Sequence, residues 1–262
     1  MVYKTDNTLS EEQARRYERD GVLFPIPVLA PEEVSKFRSG FEELESHFGG
    51  KLEYAALTHL YFTWAYDLAT RRAVVDRVEA ILGEDILIQS TLILCKYPRD
   101  PAFAAWHQDL KYTNQNSQST TSAWIALSDS TPESGCMRVI AGSHKRGTLP
   151  HLNEPARHNL VSYSLAADET LAEDVVLRAG EMSLHHSGIV HGSAPNRSGE
   201  KRIGFIVRFV TSDFQRTENP VIRARGQGPC AHLTLWEAAP EGSTEENIST
   251  WMELSKQRNL LK

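Results

Sequence analysis

The spacing of hydrophobic residues along the chain changes near residue 85. Before that point, apolar side chains recur three or four residues apart, which places them on one face of an α-helix. This spacing predicts amphipathic helices over 31–48 and 69–82, and a capping motif at Ser10 predicts a short helix that ends at about Asp20. After residue 85, short apolar runs alternate with turn-forming residues, a pattern typical of β-strands joined by tight turns.

The predicted strands are short and are separated by segments rich in Gly, Pro, Asn and Ser. They cover 22–28, 86–94, 122–127, 136–140, 174–177, 182–186 and 202–210, and 245–258 is predicted as a last helix. Prolines remove backbone donors from the first of these strands, which predicts that it lies at a sheet edge. The strands at 174–177 and 182–186 are predicted to flank a tight glycine turn, and the periodicity fades after about 213.

Many short strands at turn-punctuated spacing suit a double-sheet jelly roll. We therefore predict a mainly β fold with flanking helices and a jelly-roll, cupin-like core, also called a double-stranded β-helix. One domain is predicted, with a helical part at 1–84, the core at about 85–211 and a C-terminal extension at 212–262. The aromatic residues of 55–68 are predicted to pack in the core, with the lining of a substrate mouth as the alternative.

Composition excludes several classes of protein. The chain has 262 residues, a net charge of −6 and no basic run, which argues against nucleic-acid binding. No segment has the roughly 18 consecutive apolar residues that a membrane span requires, and the charged N-terminus does not resemble a signal peptide. The three cysteines are odd in number and far apart, so they predict neither a disulfide framework nor a zinc site. A reduced, cytosolic setting is the expectation.

Metal-ligand residues occur in two strand-like segments. His107 and Asp109 are two residues apart, and in a β-strand such residues point to the same face. His191 follows in a later strand-like segment. Two histidines and one carboxylate form the facial triad of non-haem Fe(II) oxygenases, which leaves metal positions open for co-substrate and O₂. A His-x-Asp pattern alone is more often a surface polar pair, and His185 and His186 compete with His191 as the third ligand.

Several motifs in order resemble the phytanoyl-CoA dioxygenase family. They are DGVL at 20–23, WHQD at 106–109, AWIAL at 123–127, ESGCMRVIAGSH at 133–144 and HGSAPNRS at 191–198. The resemblance implies an Fe(II)- and 2-oxoglutarate-dependent oxygenase that also consumes O₂. It implies His107, Asp109 and His191 as iron ligands.

The resemblance also implies a co-substrate pocket. Arg202, eleven residues after His191, matches the arginine that grips the far carboxylate of 2-oxoglutarate; Arg197 competes but lies in a turn-like stretch. A planar guanidinium suits this role because it binds a carboxylate through two hydrogen bonds. Further pocket candidates are Ser193, Trp124, Lys96 and Gln89. A plain strand-end charge at Arg202 and a plain core role for Trp124 are the alternatives.

Candidate substrate residues lie near the metal-binding segments. The polar loop 110–121 follows Asp109 directly, so it is expected to overhang the mouth of the site and to favour a polar or charged substrate. Arg208 shares a strand face with Arg202 and is a candidate partner for a substrate carboxylate. One residue of the pair at 185 and 186 is expected to face the site. The candidates are Lys111, Tyr112, Asn114, Arg208 and His185, while His144 is predicted as a turn residue and His151 and His158 as surface loop.

The carboxylate at position 109 bears on the reaction. Related halogenases have a small residue there, so Asp109 predicts oxidation of a C–H bond, most simply hydroxylation, rather than halogenation. Desaturation and ring closure stay open, as do free and carrier-bound small-molecule substrates. Two other classes are alternatives: a metal-binding cupin-like protein without oxygenase activity, and a non-catalytic jelly-roll binding module. Neither needs Arg202.

Overall fold

The computed structural model describes residues 8–112, 119–153, 157–161, 163–215, 217, 219–236, 240–241 and 245–257. The α-helices are α1 (Glu11–Asp20), α2 (Pro31–Phe48), α3 (Thr63–Ala69), α4 (Arg72–Leu82) and α5 (Glu245–Gln257). The first strands are β1 (Val22–Pro27), β2 (Tyr54–Ala56), β3 (Ile86–Lys96), β4 (Ala104–His107) and β5 (Thr120–Ala126). The others are β6 (Met137–Ile140), β7 (Glu173–Val175), β8 (Glu181–His186), β9 (Val190–Ser193), β10 (Arg202–Thr211) and β11 (Ile222–Arg225). None of the described helices combines the length and apolar character needed to cross a membrane.

The N-terminal helices follow the predicted pattern closely. The Ser10 hydroxyl accepts a hydrogen bond from the backbone N–H of Gln13, and the Gln13 side chain accepts one from the N–H of Ser10, which closes the predicted capping box of α1. Helix α2 has the predicted bounds. The helix predicted over 69–82 begins only at Arg72, because the backbone of Arg71 is extended (ψ 128°) and separates it from α3. Helix α3, inside the aromatic segment, was not predicted.

Two antiparallel sheets form a jelly-roll sandwich. The larger sheet has the order β1-β8-β5-β10-β3-β11, with β2 also paired to β3, and the smaller has the order β4-β9-β6-β7. Strand β1 lies at an edge, as its prolines predict. An apolar cluster joins the two sheets: Trp124 and Ile206 from the larger one pack with Met137, Val139 and Val175 from the smaller one.

Alternation along β10 separates the helical core from the interior of the sandwich. Ile203, Phe205 and Val207 belong to the large cluster that also contains α2, α3 and α4 side chains such as Phe41 and Val75. The residues between them, at positions 202, 204, 206 and 208, point to the opposite face because side chains alternate along a strand. That opposite face carries the candidate site.

The two strands around Gly180 belong to different sheets. Strands β7 and β8 flank a turn at Gly180, as expected, but they do not form a hairpin: β7 pairs with β6 and β8 lies between β1 and β5. Gly180 has a φ of 91°, and a Cβ there would lie 2.7 Å from the carbonyl oxygen of Leu29. The region after 213, read as lacking periodicity, contains β11. Helix α5 was predicted correctly.

Candidate metal and co-substrate site

Three candidate ligands converge at one end of the smaller sheet. One ligand atom from each of His107, Asp109 and His191 lies within 4.8 Å of the others, and all three side chains are buried. Strands β4 and β9 are neighbours, and His107 lies directly opposite His191 in their register. Among the described residues, these three form the one group of histidine, cysteine or carboxylate side chains whose ligand atoms lie close enough together to hold a metal ion.

The carboxylate reaches this position by a route that differs from the predicted one. Strand β4 ends at His107, and Asp109 begins a 3₁₀ turn (Asp109–Tyr112), so the two do not share a strand face. The fully buried Gln108 side chain holds the turn. Its Nε2 donates to the carbonyls of Gly147 (2.9 Å) and Gly188 (2.7 Å), and its Oε1 accepts from the N–H of Leu149 (2.8 Å).

Both imidazoles are oriented by the backbone. Nδ1 of His107 lies 2.7 Å from the carbonyl oxygen of Ala105, and Nδ1 of His191 lies 3.1 Å from that of Ile189. A proton on each Nδ1 would satisfy these carbonyls and leave each Nε2 lone pair for a metal. Burial lowers the pKa of both histidines, which favours the neutral form that binds metals.

The Asp109 carboxylate is surrounded by cationic and imidazole groups. Nη2 of Arg208 lies 2.9 Å from its Oδ1, and Nε2 of His185 lies 3.8 Å from its Oδ2. Burial alone would raise the pKa of Asp109, but Arg208 and the histidines hold it well below its usual range. His185 is thus the member of the adjacent pair that faces the site. His186 points elsewhere, with its ring 4.9 Å from that of His144.

The ligands open into a cavity of about 340 Å³ between the sheets. Four of the five predicted cofactor-binding side chains line it: Gln89, Trp124, Ser193 and Arg202. The fifth, Lys96, lies behind the cavity wall and is fully buried. Its Nζ donates to Ser193 Oγ (2.7 Å) and to the carbonyls of Gly135 and Ala194. Burial and the neighbouring Arg202 lower the pKa of Lys96 to about 6.

Arg202 is the buried cation of the cavity. Its guanidinium carbon lies 5.2 Å from the ring centroid of Trp124, and its Nε and Nη2 have no hydrogen-bond partner among the described residues. Buried donors without a partner are costly, so this pocket fits a carboxylate that would accept from them. The rival Arg197 is exposed and lies in the turn after Ser193. The residues present therefore fit both a metal ion and a dicarboxylate.

Some substrate candidates fall outside what the structure describes. Lys111 and Tyr112 lie in the 3₁₀ turn after Asp109, but their side chains are not described, and Asn114 lies outside the described residues. His151 lies in a loop, as predicted, but its side chain is half-buried, and its Nε2 accepts a hydrogen bond from the backbone nitrogen of Gln108 (3.1 Å). His158 is exposed and His144 lies in a 3₁₀ turn (Ser143–Arg146), as predicted; the His144 ring also contacts the carbonyl oxygen of Glu18.

Sequence reasoning missed several lining residues. Tyr54, Leu57 and Asn219 line the cavity, whereas Phe62 and Trp64 from the same aromatic segment are in the core. Both interpretations of that segment therefore hold, for different residues. Leu57 has a left-handed backbone (φ 58°), which the sequence does not signal. Gln108 could have been suspected only from its position between two ligands.

The jelly roll with a His–Asp–His set beside a buried arginine defines the class of cupin-like non-haem oxygenases. The model of the phytanoyl-CoA dioxygenase family matches residues 17–204. The chain belongs to this family.

Relatives and solved structures agree with this placement. A probable alpha-ketoglutarate-dependent hypophosphite dioxygenase from Stutzerimonas stutzeri is 28% identical over 59% of this chain and 56% of its own length. The ectoine dioxygenase of Nocardia farcinica is 27% identical over 71% of this chain and 72% of its own. The chain spans about half the length of the first curated relatives it matches.

Among solved structures, the non-haem monooxygenase ThoJ superposes with a TM-score of 0.79 at 28% identity, covering 94% of this chain and 95% of ThoJ. The alpha-ketoglutarate-dependent epimerase SnoN from nogalamycin biosynthesis superposes with a TM-score of 0.64 at 25% identity, covering 77% and 83%. Alpha-ketoglutarate is 2-oxoglutarate. These neighbours share the fold and differ in the reactions named for them.

Proposed function

We propose that the chain is an Fe(II)- and 2-oxoglutarate-dependent dioxygenase that hydroxylates an unactivated C–H bond of a small, polar metabolite or biosynthetic intermediate. The observation that carries this proposal is one cavity in which three converging metal ligands face a buried arginine whose Nε and Nη2 have no partner among the described residues. Family membership and the donor set support Fe(II) and 2-oxoglutarate as cofactors.

The chain supplies ligands, orientation and exclusion of water. His107, Asp109 and His191 would hold the metal, and Arg202 with Ser193 would hold the far carboxylate of 2-oxoglutarate against Trp124. When bound, iron, 2-oxoglutarate and O₂ supply the oxidising chemistry, in which the co-substrate becomes succinate and CO₂ and the substrate gains a hydroxyl. All three side chains are buried, so they would shield a bound metal from bulk water.

Hydroxylation is the reaction that the ligand set supports best. Asp109 occupies the position that a halide would need, which disfavours halogenation. Ring closure, with desaturation, is the second candidate, favoured by the likeness to a solved structure named as an alpha-ketoglutarate-dependent carbocyclase, SnoK, which superposes with a TM-score of 0.62 at 25% identity. The cavity of about 340 Å³ is at the lower end of ligand-pocket volumes of roughly 300–1,000 Å³, which favours a free small molecule over a carrier-bound one.

A metal-binding cupin without oxygenase activity would need the three ligands but no Arg202. The burial of Arg202 beside them argues against that alternative, because a guanidinium is costly to bury without an anionic partner.

Cys95, Cys136 and Cys230 are free and buried, which supports the expected reduced, cytosolic setting.

The proposal is tested under anaerobic conditions. Addition of Fe(II) and then 2-oxoglutarate is expected to produce the weak visible charge-transfer band of the chelate. Arg202→Ala should need far more 2-oxoglutarate for the same band, whereas Arg197→Ala, which removes an exposed arginine, should behave as wild type. Iron binding without any band in the wild type would contradict the proposal and favour the metal-binding cupin.

A further inference from the structure

Two buried cations lie side by side where the larger sheet meets the cavity. Lys96 on β3 is directly opposite Arg202 on β10 in the register of the two strands, and both side chains are almost completely buried. Arg202 lines the cavity, whereas the Lys96 amine lies behind the wall, against the end of β9. The proposed function uses Arg202 and leaves the second cation without a role.

Three oxygen atoms surround the Lys96 amine. Its Nζ lies 2.7 Å from Oγ of Ser193 and within hydrogen-bond distance of the carbonyl oxygens of Ala194 and Gly135, the latter at 3.3 Å. Nδ2 of the buried Asn196 donates to the carbonyl oxygen of Lys96 (3.1 Å), which fixes the segment after β9 against β3. The three oxygens therefore form a defined site for one nitrogen.

The number of hydrogens on this nitrogen decides which way the Ser193 hydroxyl points. A carbonyl oxygen can only accept, so Lys96 donates one N–H to Gly135 and one to Ala194 whether or not it is charged. The charged ammonium has a third hydrogen, which it donates to Oγ of Ser193. The neutral amine has a lone pair in its place, so the Ser193 hydroxyl donates to Lys96 instead.

The direction of the Ser193 hydroxyl matters because Ser193 lines the cavity together with Arg202. While Lys96 is neutral, the hydroxyl hydrogen is used behind the wall, and the lone pairs of Oγ that remain would repel a carboxylate. When Lys96 is charged, Oγ accepts from Nζ and its own hydrogen can be donated into the cavity. A carboxylate there would accept from Ser193 and from the guanidinium of Arg202 at once.

The surroundings of Lys96 favour the neutral amine until an anion arrives. Burial and the neighbouring Arg202 lower the pKa of Lys96 to about 6, against a smaller opposite effect of the Cys136 thiol. The end of β9 presents Ser193 and Ala194, which are uncharged. A carboxylate bound to Arg202 would place a negative charge beside both cations, and an opposite charge at that distance raises the pKa of an amine.

We propose that Lys96 is a positioning residue of the co-substrate site: it takes up a proton from solution when 2-oxoglutarate binds, and it thereby turns the Ser193 hydroxyl toward the far carboxylate. This inference rests on the proposed function, because it assumes that 2-oxoglutarate occupies the cavity. Lys96 acts through Ser193 and does not touch the co-substrate itself.

The test measures proton uptake and not turnover. The anaerobic complex of the protein with Fe(II) is titrated calorimetrically with 2-oxoglutarate at about pH 7.5, in Tris and in PIPES, which differ strongly in their enthalpy of ionisation. The difference in heat gives the number of protons taken up with each 2-oxoglutarate. Because iron is already bound, protons released from the metal ligands do not enter the count. The wild type is expected to take up between about one half and one proton.

A second ligand and two variants isolate the cause of the uptake. 2-Oxovalerate has the chelating end of 2-oxoglutarate but no far carboxylate, so it should bind to the wild type without proton uptake. Lys96→Met should bind 2-oxoglutarate more weakly and take up almost no proton. Lys36→Met, which removes an exposed lysine, should match the wild type.

The pH dependence of binding provides an independent measurement. Binding that takes up a proton becomes weaker as pH rises, so the affinity of the wild-type Fe(II) complex for 2-oxoglutarate should fall about three- to tenfold between about pH 7 and pH 8. The affinity of Lys96→Met should stay nearly constant over the same range. A purely structural role of Lys96 would lower the affinity at all pH values and leave its slope unchanged.

Ser193→Ala decides the matter if Lys96→Met does not fold. Without the Ser193 hydroxyl, the two carbonyls satisfy the neutral amine, and a third hydrogen on Lys96 would have no acceptor. Proton uptake should then fall to less than about half of the wild-type value. Ser193→Thr, which keeps the hydroxyl, should restore it.

The remaining outcomes contradict the inference. Binding of 2-oxoglutarate to the wild type without proton uptake overturns it, and so does an uptake that is unchanged in Lys96→Met or, in its place, Ser193→Ala. An equal uptake with 2-oxovalerate also overturns it, because the far carboxylate would then not be the cause. If the Fe(II) complex of the wild type does not bind 2-oxoglutarate at all, the proposed function fails and the inference fails with it.

Discussion

Gln108 is the residue whose side chain directs the Asp109 carboxylate toward the two histidines. It is fully buried, and its amide bonds three backbone groups from two different loops. Because the Asp109 carboxylate lies on the turn that these bonds hold, the geometry of the candidate metal site depends on a side chain that itself offers no ligand.

Gln108→Ala is therefore expected to weaken metal binding by about 10–100-fold. Loss of the buried hydrogen bonds should also lower the free energy of unfolding by about 1–3 kcal/mol. Anaerobic titration with Fe(II) and chemical denaturation measure the two effects. The matched control is Gln215→Ala, an exposed glutamine, and an unchanged Fe(II) affinity in Gln108→Ala would show that the turn holds its shape without the amide.

Lys96 is a buried amine whose pKa lies far below its ordinary value. Its pKa falls to about 6 from 10.5 because burial and Arg202 disfavour the charged form. Between these two values the unfolded chain keeps the Lys96 proton and the folded protein has lost it. The unfolded state then binds more protons, so stability rises with pH across this window.

Lys96→Met should remove this dependence. Between about pH 7 and pH 9, the free energy of unfolding of the wild type is expected to rise relative to that of the variant by up to about 1.4 kcal/mol per pH unit. Urea unfolding at a series of pH values provides the measurement. Lys36→Met, which removes an exposed lysine, should keep the wild-type slope. Parallel curves for wild type and Lys96→Met would mean that Lys96 stays charged in the fold.

At the scale of elements, β10 shows how one strand serves two purposes. Its odd-numbered residues pack against the helices, while Arg202 and Arg208 face the cavity. Gly204, between them, permits this arrangement, because a Cβ at that position would lie 2.1 Å from the ring of Trp124. The indole can therefore lie across the strand, next to Arg202. A glycine in a strand often marks such a close approach.

Helix α5 supports the cavity wall from behind. Nε1 of the buried Trp251 donates to the carbonyl oxygen of Ala56 (2.9 Å), which precedes the lining residue Leu57. The Trp251 ring packs edge-on against Phe62, 5.6 Å between centroids. The C-terminal helix thus contributes to the main core although it lies beyond the residues matched by the family model.

Trp251→Phe should keep most of this packing and lose the hydrogen bond. The expected decrease in the free energy of unfolding is about 0.5–1.5 kcal/mol, somewhat more if the Ala56 carbonyl stays buried without a donor. Denaturant unfolding of the variant measures it. Trp236→Phe, at a tryptophan that is 41% exposed, is the matched control and should differ little from wild type. A similar loss in both variants would argue that α5 does not brace the wall.

At the scale of the whole molecule, the site joins the two sheets. His107 and His191 come from the smaller sheet, and Arg202 comes from the larger one. A metal ion held by the two histidines and a 2-oxoglutarate held by Arg202 would therefore connect the smaller sheet to the larger one. Because both bind the folded chain and not the unfolded chain, they should stabilise it according to their concentration.

With each ligand at about 100 times its dissociation constant, each should add about 2.7 kcal/mol to the free energy of unfolding. The chain, predicted to be one domain, should unfold in one transition with and without ligands. Anaerobic thermal or urea unfolding with Fe(II), and then with 2-oxoglutarate, measures the increments. Arg202→Ala should lose the second increment and keep the first. A chelator should return the wild type to the metal-free value, and an increment from 2-oxoglutarate without metal would contradict the bridged arrangement.

The sequence by itself predicted helices α1, α2, α4 and α5, most strands, the family, and the three residues that converge at the candidate metal site. Helical and strand periodicity are local properties, so α2 and α5 could be read from the spacing of their own apolar residues. The candidate metal ligands can also be read locally, because only certain side chains bind iron. The family motifs then indicate which of the ten histidines are the candidates.

Only the tertiary structure decided how these parts meet, because the deciding contacts join residues far apart in the chain. Gln108 bonds Gly188, 80 residues away, and Lys96 bonds Ser193, 97 residues away. No local pattern reports such a bond, so Lys96 was expected in the cavity and lies behind it. For the same reason the glycine turn between β7 and β8 could be predicted but their partners could not. Such a turn can close a hairpin or carry the chain from one sheet to the other, and the pairing with distant strands decides which.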